Sequence, residues 1–337
     1  MTIYLQTTDL NRRQFLTHTV AGGVALGLGL GGFPAIAASK KKATIGYLPI
    51  LDHLVLTTSH FRDNRALTGI EIEPRQFKSW SAAAGALEAG VIDGAFLLSN
   101  LAMDLFNRGA PIRALLVGHR NGSALVVRSD ATIVGPQDLA GKTIAIPAKI
   151  STHTALLDTY LRRGGLSLRE VKTLEIAPPL MVEAMLHGTI DAFIVAEPFC
   201  AKAEQEKVGK ILAFSKEMVA NHICCILVVR QDWLTANPEG MQEWGNSLIR
   251  TGQWLDQQKG GTGAGEIAKM TSQYMSYPES LILAALQHPS DRIVYKDLLP
   301  RTADFQVIAD ISRQAGILQT VDLARFIDTR FVKGVTG

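Results

Sequence analysis

Cysteine is scarce: Cys200, Cys224 and Cys225 are the three in 337 residues. That is too few for a disulfide framework. Neighbours such as Cys224 and Cys225 on an extended strand point to opposite faces, so free buried thiols are expected. An excess of one charge is also missing. The 34 basic and 31 acidic side chains leave a formal net charge of +3. No basic stripe interleaved with aromatics accompanies it, so no nucleic-acid partner is expected. After the N-terminal segment there is no apolar run long enough for a transmembrane helix. No HExxH, P-loop or ordered Ser/His/Asp set stands out, so an enzyme is not expected, and no metal-ligand set and no cofactor are assigned. What remains is a globular composition, 47% hydrophobic, long enough for two domains with cores of their own.

The N-terminal segment reads as an address. Asn11-Arg12-Arg13-Gln14-Phe15-Leu16 precedes a glycine-rich apolar run from Val20 to Ile36, and Ala35-Ile36-Ala37 offers small residues at a signal peptidase's spacing. A basic start, a short apolar stretch and an A-x-A site mark a cleavable secretory signal over residues 1–37. The paired arginines followed by Phe-Leu are similar to a twin-arginine signal. No cysteine near the cleavage site suggests a lipid anchor, so an extracytoplasmic or periplasmic protein is expected.

The chain then says one thing twice. Thr44-Ile45-Gly46-Tyr47-Leu48-Pro49 and Lys142-Thr143-Ile144-Ala145-Ile146-Pro147 are short apolar strands ending at proline. Ala86 to Phe96 and Ala184 to Ile194 both read as helix end, glycine, then buried strand. Pro49 and Pro147, and likewise Gly90 and Gly188, lie 98 positions apart (147 − 49, 188 − 90). Gly90 and Gly188 stand where a left-handed helix C-cap is wanted, and Asp93 and Asp191 read as turn-stabilising carboxylates. Helices over 54–67 and 154–163, and second strands over 70–77 and 172–176, complete two β-α-β-α-β units. A further echo, Leu125-Val126-Val127-Arg128 and Leu227-Val228-Val229-Arg230, reads as two crossover strands forming a hinge. The expected layout is therefore lobe 1 over 43–126 and 228–337, and lobe 2 over 127–227. Segments 238–269, 278–288 and 303–333 are helical by period. Two lobes around a hinge enclose a cleft that can close on a ligand, and strand ends and helix N-termini face it.

Certain stretches carry a resemblance. Ile45-Gly46-Tyr47-Leu48-Pro49, Ser79-Trp80, the two Gly-x-Ile-Asp turns, Ile150-Ser151-Thr152-His153, Glu197-Pro198-Phe199 and His222-Ile223-Cys224-Cys225 stand in an order similar to that of the nitrate/sulfonate/taurine/bicarbonate solute-binding proteins of ABC importers. The nitrate- and bicarbonate-type branch is nearest. The resemblance covers roughly 43–235. It implies an α/β, type II periplasmic-binding-protein fold of two similar lobes joined by a two-stranded hinge. It also implies capture of a small anion or small organic nitrogen or sulfur compound, delivery to an ABC permease with its ATPase, and a monomer. The other readings are an enzyme like the thiamine-pyrimidine synthases, or a sensor presenting ligand to a receptor.

Trp80 and His153 match cleft positions of that family. Ser151 and Thr152 open a helix whose free N–H groups make an anion seat, a role that ordinary N-capping would fill equally well. His53, next to Asp52, occupies the equivalent loop of the first lobe. Ser99, Asn100 and Glu197 end the strands after the repeated turns, and Ser123 sits at the first hinge. Glu197 would repel an anion unless it serves a cation, a hydrogen-bond network or lobe closure. Relatives tend to place a lysine where Cys224 and Cys225 stand, and a glutamine at the position of Ser123. Losing the cation from a half-buried anion site is costly, so nitrate is disfavoured and a neutral or zwitterionic ligand fits better.

Overall fold

Residues 40–332 are described by the structure, a computed structural model; the expected signal over 1–37 lies outside them, as does the end of the expected helix over 303–333. The strands in chain order are β1 (Lys41–Tyr47), β2 (Ile70–Gln76), β3 (Gly94–Leu98), β4 (Ile112–Val117), β5 (Arg120–Asn121) and β6 (Ser123–Arg128). They continue as β7 (Thr143–Ile146), β8 (Lys172–Glu175), β9 (Ala192–Ala196), β10 (Gly209–Phe214), β11 (Cys225–Arg230) and β12 (Ile293–Val294). One five-stranded sheet runs β2-β1-β3-β11-β4 and the other β8-β7-β9-β6-β10, while β12 pairs with β5. The two orders correspond strand for strand. In each, the central strand is apolar and buried on both faces, Gly94–Leu98 in one and Ala192–Ala196 in the other, as expected where helices cover both sides.

The repeat has a physical basis at its turns. Gly90 (φ 69°) and Gly188 (φ 70°) are both left-handed. Gly90 N–H donates to Leu87 O and Val91 N–H to Ala86 O; Gly188 and Thr189 make the same pair of bonds to Met185 and Ala184. Both helices thus end in a Schellman motif. Asp93 Oδ2 accepts from Thr44 N–H at 2.8 Å, and Asp191 Oδ2 from Thr143 N–H at 2.8 Å. The separations are 49 residues in the first lobe and 48 in the second. Aligning the prolines therefore misplaces the first strand by one residue, because the first lobe holds one more residue between its first and third strands.

The echo of Leu-Val-Val-Arg has a different meaning from the one expected. β6 and β11 do not pair with each other. β6 runs antiparallel to β9, and β11 antiparallel to β3, so each fills the same place in its own sheet. Expected boundaries at 126/127 and 227/228 cut through these strands. The chain crosses just before them instead, where Arg120 bridges Ile223, Asn121 N–H donates to His222 O at 3.0 Å and Gly118 N–H to Cys225 O at 2.8 Å. These two extended segments join the lobes.

α1 (Leu54–Asp63), α2 (Trp80–Glu88), α3 (Ser99–Asn107) and α4 (Thr152–Arg162) cover the strands. The expected helix over 238–269 is broken in two, Pro238–Gln258 and Ala264–Met275, with Gly260, Gly261 and Gly263 in the break, since glycine is costly inside a helix. The segment from 303 is helical as Thr302–Gln314, with Gly316 at φ 71° after its end, and again in the short pieces Leu323–Phe326 and Thr329–Val332. That helix packs against both α3 and α4, touching elements of each sheet. Among the described residues no helix is long and apolar enough to cross a membrane.

Candidate functional site

The segments following β1, β3 and β9 meet at the crossing: Ser99 N–H donates to Cys224 O at 2.8 Å and Glu197 N–H to Gly122 O at 3.0 Å, while the turn after β1 bonds to Glu197. Ser79 caps α2 by accepting from Ala82 N–H at 3.2 Å, which sets Trp80 at the first helical position with 1% of its surface exposed. Ser151 caps α4 in the same way, accepting from Thr154 N–H at 3.1 Å. Thr152 and His153 follow at 0% exposure. The rings of Trp80 and His153 then meet across the lobes, 5.9 Å apart and tilted by 47°. His153 Nε2 lies 2.9 Å from Ser123 Oγ. Its Nδ1 and the indole N–H of Trp80 have no hydrogen-bond partner among the described residues.

A second group of contacts seals the cleft. Thr152 Oγ1 donates to Asn100 Oδ1 at 2.7 Å and lies 3.1 Å from Ser99 Oγ, while Asn100 Nδ2 donates to Ser312 Oγ. Leu51 N–H donates to Glu197 O at 2.9 Å. Glu197 Oε1 accepts from Arg292 Nη1 at 2.7 Å, and Oε2 from Ala201 N–H at 3.0 Å. Glu197 therefore serves lobe closure through an ion pair, the condition under which a carboxylate is tolerable there. Burial still holds its pKa above the usual carboxylate range, Arg292 opposing. The lobes are closed on one another.

Electrostatically the site is starved of cations. Burial lowers His153 and His53 to about 3 and His222 to about 4, so all are neutral. His53 accepts from Leu48 N–H at its Nδ1 (2.9 Å) and packs against Phe96. Arg292 is taken by Glu197, and Arg120 by Asp297 and Asp304. Asp52 is pushed well above its usual range by burial, with Cys224 and Glu197 adding to it.

All ten residues singled out in the sequence (His53, Trp80, Ser99, Asn100, Ser123, Ser151, Thr152, His153, Glu197 and Cys225) are buried. Contacts tie Trp80, Ser123 and His153 together, and separately Ser99, Asn100 and Thr152. Ser151 contributes as a cap. The expectation for the cysteines holds in one respect, since all three are free and buried. It fails in another: the thiols of Cys224 and Cys225 lie within 4.8 Å of each other. Cys224 precedes the regular strand, which starts at Cys225, so strict alternation does not govern the pair. Sequence reading missed His119 and Arg292. His119 sits three residues ahead of the Gly122 hinge turn, a position that could have flagged it. Arg292 lies where no motif stands.

Two α/β lobes, a double crossing and a sealed polar interface between them define a periplasmic-binding-protein fold. Residues 37–271 match the NMT1-like family, and the chain belongs to it. It is 28% identical over 237 residues to the nitrate/nitrite binding protein NrtA of Nostoc sp., covering 64% of this chain and 54% of that one. It is 31% identical over 186 residues to the taurine-binding periplasmic protein of Escherichia coli, covering 54% and 57%. The chain thus spans little more than half the length of these relatives. The crystal structure of the ligand-binding component of an ABC-type import system from Staphylococcus aureus with zinc bound is similar with a TM-score of 0.79 at 22% identity. The match covers 88% of this chain and 99% of that one.

Proposed function

We propose that the protein is the extracytoplasmic solute-binding subunit of an ABC importer, capturing a small solute in the interlobe cleft and presenting it to a permease and its ATPase. The observation that carries this reading is the meeting of Trp80 and His153 from opposite lobes beside Ser123, each keeping a polar atom without a partner (Nε1 of Trp80 and Nδ1 of His153). Buried polar atoms of this kind are normally satisfied, and a solute admitted beside the rings as the lobes part would satisfy both. The relatives' nitrate and taurine support the compound class, a small anion or small organic nitrogen or sulfur compound. Among the described residues no unengaged cation stands at the site, Arg120 and Arg292 being paired; this favours the neutral or zwitterionic end of that class, because an anion without a counter-charge is strongly disfavoured out of water.

A thermal-shift screen of inorganic anions, sulfonates, cyanate, amidines and pyrimidines tests it. One class is expected to raise the melting temperature, by the equivalent of about 2.7 kcal/mol at a hundredfold excess over Kd. Trp80→Ala and His153→Ala should each abolish that shift in protein that still folds. Unchanged affinity in both variants would place the solute elsewhere.

A further inference from the structure

Beside the paired rings lies a second cluster, built by different residues. Asp52 comes from the short turn Leu51–His53 after β1, His119 from the first crossing segment, and Cys224 and Cys225 from the second. The turn is held in place on both sides: Tyr295 Oη donates to Leu51 O at 2.7 Å and Leu51 N–H donates to Glu197 O at 2.9 Å. Each of the four residues offers one donor atom, and these atoms all lie within 4.8 Å of one another. All four side chains are fully buried.

The cluster is short of positive charge. Neither carboxylate oxygen of Asp52 has a hydrogen-bond partner among the described residues, nor does His119 Nδ1. His119 Nε2 faces both Cys225 N–H at 3.2 Å and Asp52 Oδ2 at 3.1 Å. With Asp52 Oδ1 and Oδ2 and His119 Nδ1 all buried and unpartnered among the described residues, the cluster is one that a bound cation would complete, since buried polar atoms are normally satisfied. The backbone is also shaped for the approach. Gly122, at φ 89°, lies where a Cβ would come within 2.6 Å of Asp52 Oδ1 and 2.9 Å of His119 Nδ1. Any side chain there would force the two donors apart.

We propose that Asp52, His119, Cys224 and Cys225 bind one thiophilic transition-metal ion of the zinc class at the point where the chain crosses between lobes. Two sulfurs, an imidazole nitrogen and one carboxylate oxygen form a four-donor set suited to tetrahedral zinc. Calcium and magnesium require oxygen-rich shells and are excluded by the same donors. A tetrahedral site with thiolates at about 2.3 Å brings its sulfurs to about 3.8 Å, so the donors need draw in by only about 1 Å. Both thiols lose their protons on binding. The ion would tie the first lobe's turn to both crossing segments. Cys225 is shared with the solute candidates and its thiol lies beside Trp80, but neither paired ring supplies a donor, and the two readings are separated by their tests.

The test uses the purified full chain, stripped with EDTA under reductant and titrated with zinc against a chromophoric chelator and, separately, with cobalt(II). One equivalent of metal is expected, and cobalt should show thiolate charge-transfer absorption and the intense visible bands of a tetrahedral ion. In the Cys224→Ser, Cys225→Ser double variant those bands should vanish and zinc affinity should fall on the order of 100-fold or more. Asp52→Asn should keep the charge-transfer bands but weaken affinity. Cobalt bound without charge-transfer absorption, or calcium displacing zinc, would overturn the proposal. Unchanged zinc affinity in the double-serine variant would do the same. If that variant does not fold by circular dichroism, Asp52→Asn decides, and unchanged affinity there rejects the site. Stoichiometric zinc without any solute shift upholds the metal site and sinks the solute reading; a solute shift without zinc binding does the reverse.

Discussion

Arg292 Nη1 lies 2.7 Å from Glu197 Oε1, both side chains almost wholly enclosed at 4% and 0% exposure. The pair joins the end of β9 to the residue ahead of β12, so it holds the second lobe against the crossing. Removing one partner of a buried pair leaves the other charge uncompensated, at a cost of about 3–5 kcal/mol. Arg292→Met should therefore lower the urea midpoint strongly and shift solution scattering toward an open form. Adding Glu197→Gln should restore most of the stability, because no buried charge is then orphaned. A double variant as unstable as the single one would mean that the pair acts by packing alone.

His153 gives the closed form an acid limit. Its folded pKa is lowered by burial from 6.5 to about 3, so between those values the unfolded chain binds more protons than the native one. Stability from this group is present above about pH 6.5 and is lost as pH falls, at about 1.4 kcal/mol per pH unit. Urea titrations of wild type and His153→Gln from pH 7.5 to pH 4.5 should diverge by one proton's slope. Parallel curves would show that His153 is hydrated and titrates normally.

Local grammar was legible in the sequence, and long-range partnership was not. The left-handed glycines follow from the chain within a few residues of them and stand where expected, while the turn carboxylates hold strand residues 49 and 48 positions away that their neighbours on the chain do not announce. Which sheet β6 and β11 join depends on partners far along the chain, so the echo identified equivalent strands but placed the crossing in them rather than just before them. The site divides in the same way. Ser151 was visible because it opens a helix, and Trp80 and His153 because they match cleft positions of the resembled family, whereas Arg292 became a site residue only when β12 added to β5. His119 was passed over because its neighbours on the chain say nothing of Asp52 or the cysteines, which the fold brings to it.

The two capping glycines should not respond alike to substitution. At Gly188 an added Cβ meets only Arg128 Nη1, at 3.3 Å, whereas at Gly90 it would lie 2.0 Å from Arg230 Nη1. Both positions are left-handed, which costs an alanine about 1–2 kcal/mol. Gly188→Ala should lose about that much in chemical denaturation. Gly90→Ala should lose more, because Arg230 must also leave its place beside Asp232. Gly90→Ala with Arg230→Ser should bring the loss back toward the Gly188→Ala value. If the two single variants are equally stable, the arginine yields freely and only the backbone matters.

Asp93 and Asp191, repeated in both lobes, invite a chemical role that the geometry assigns to structure. Each accepts the backbone N–H of a threonine on the first strand of its lobe, Thr44 and Thr143, at 2.8 Å, and the same threonines' carbonyls accept from the aspartates' own N–H groups. The reciprocal pair locks the first strand to the turn before the third. Asp93→Ala and Asp191→Ala should each cost about 1–3 kcal/mol, the range for leaving a buried donor unmade. Asn, which keeps an acceptor oxygen, should recover part of it. Neither variant should alter the affinity for a solute that Trp80→Ala abolishes, since both carboxylates face their own strand and not the cleft. A loss of binding in either asparagine variant, with stability unchanged, would make that carboxylate a ligand contact.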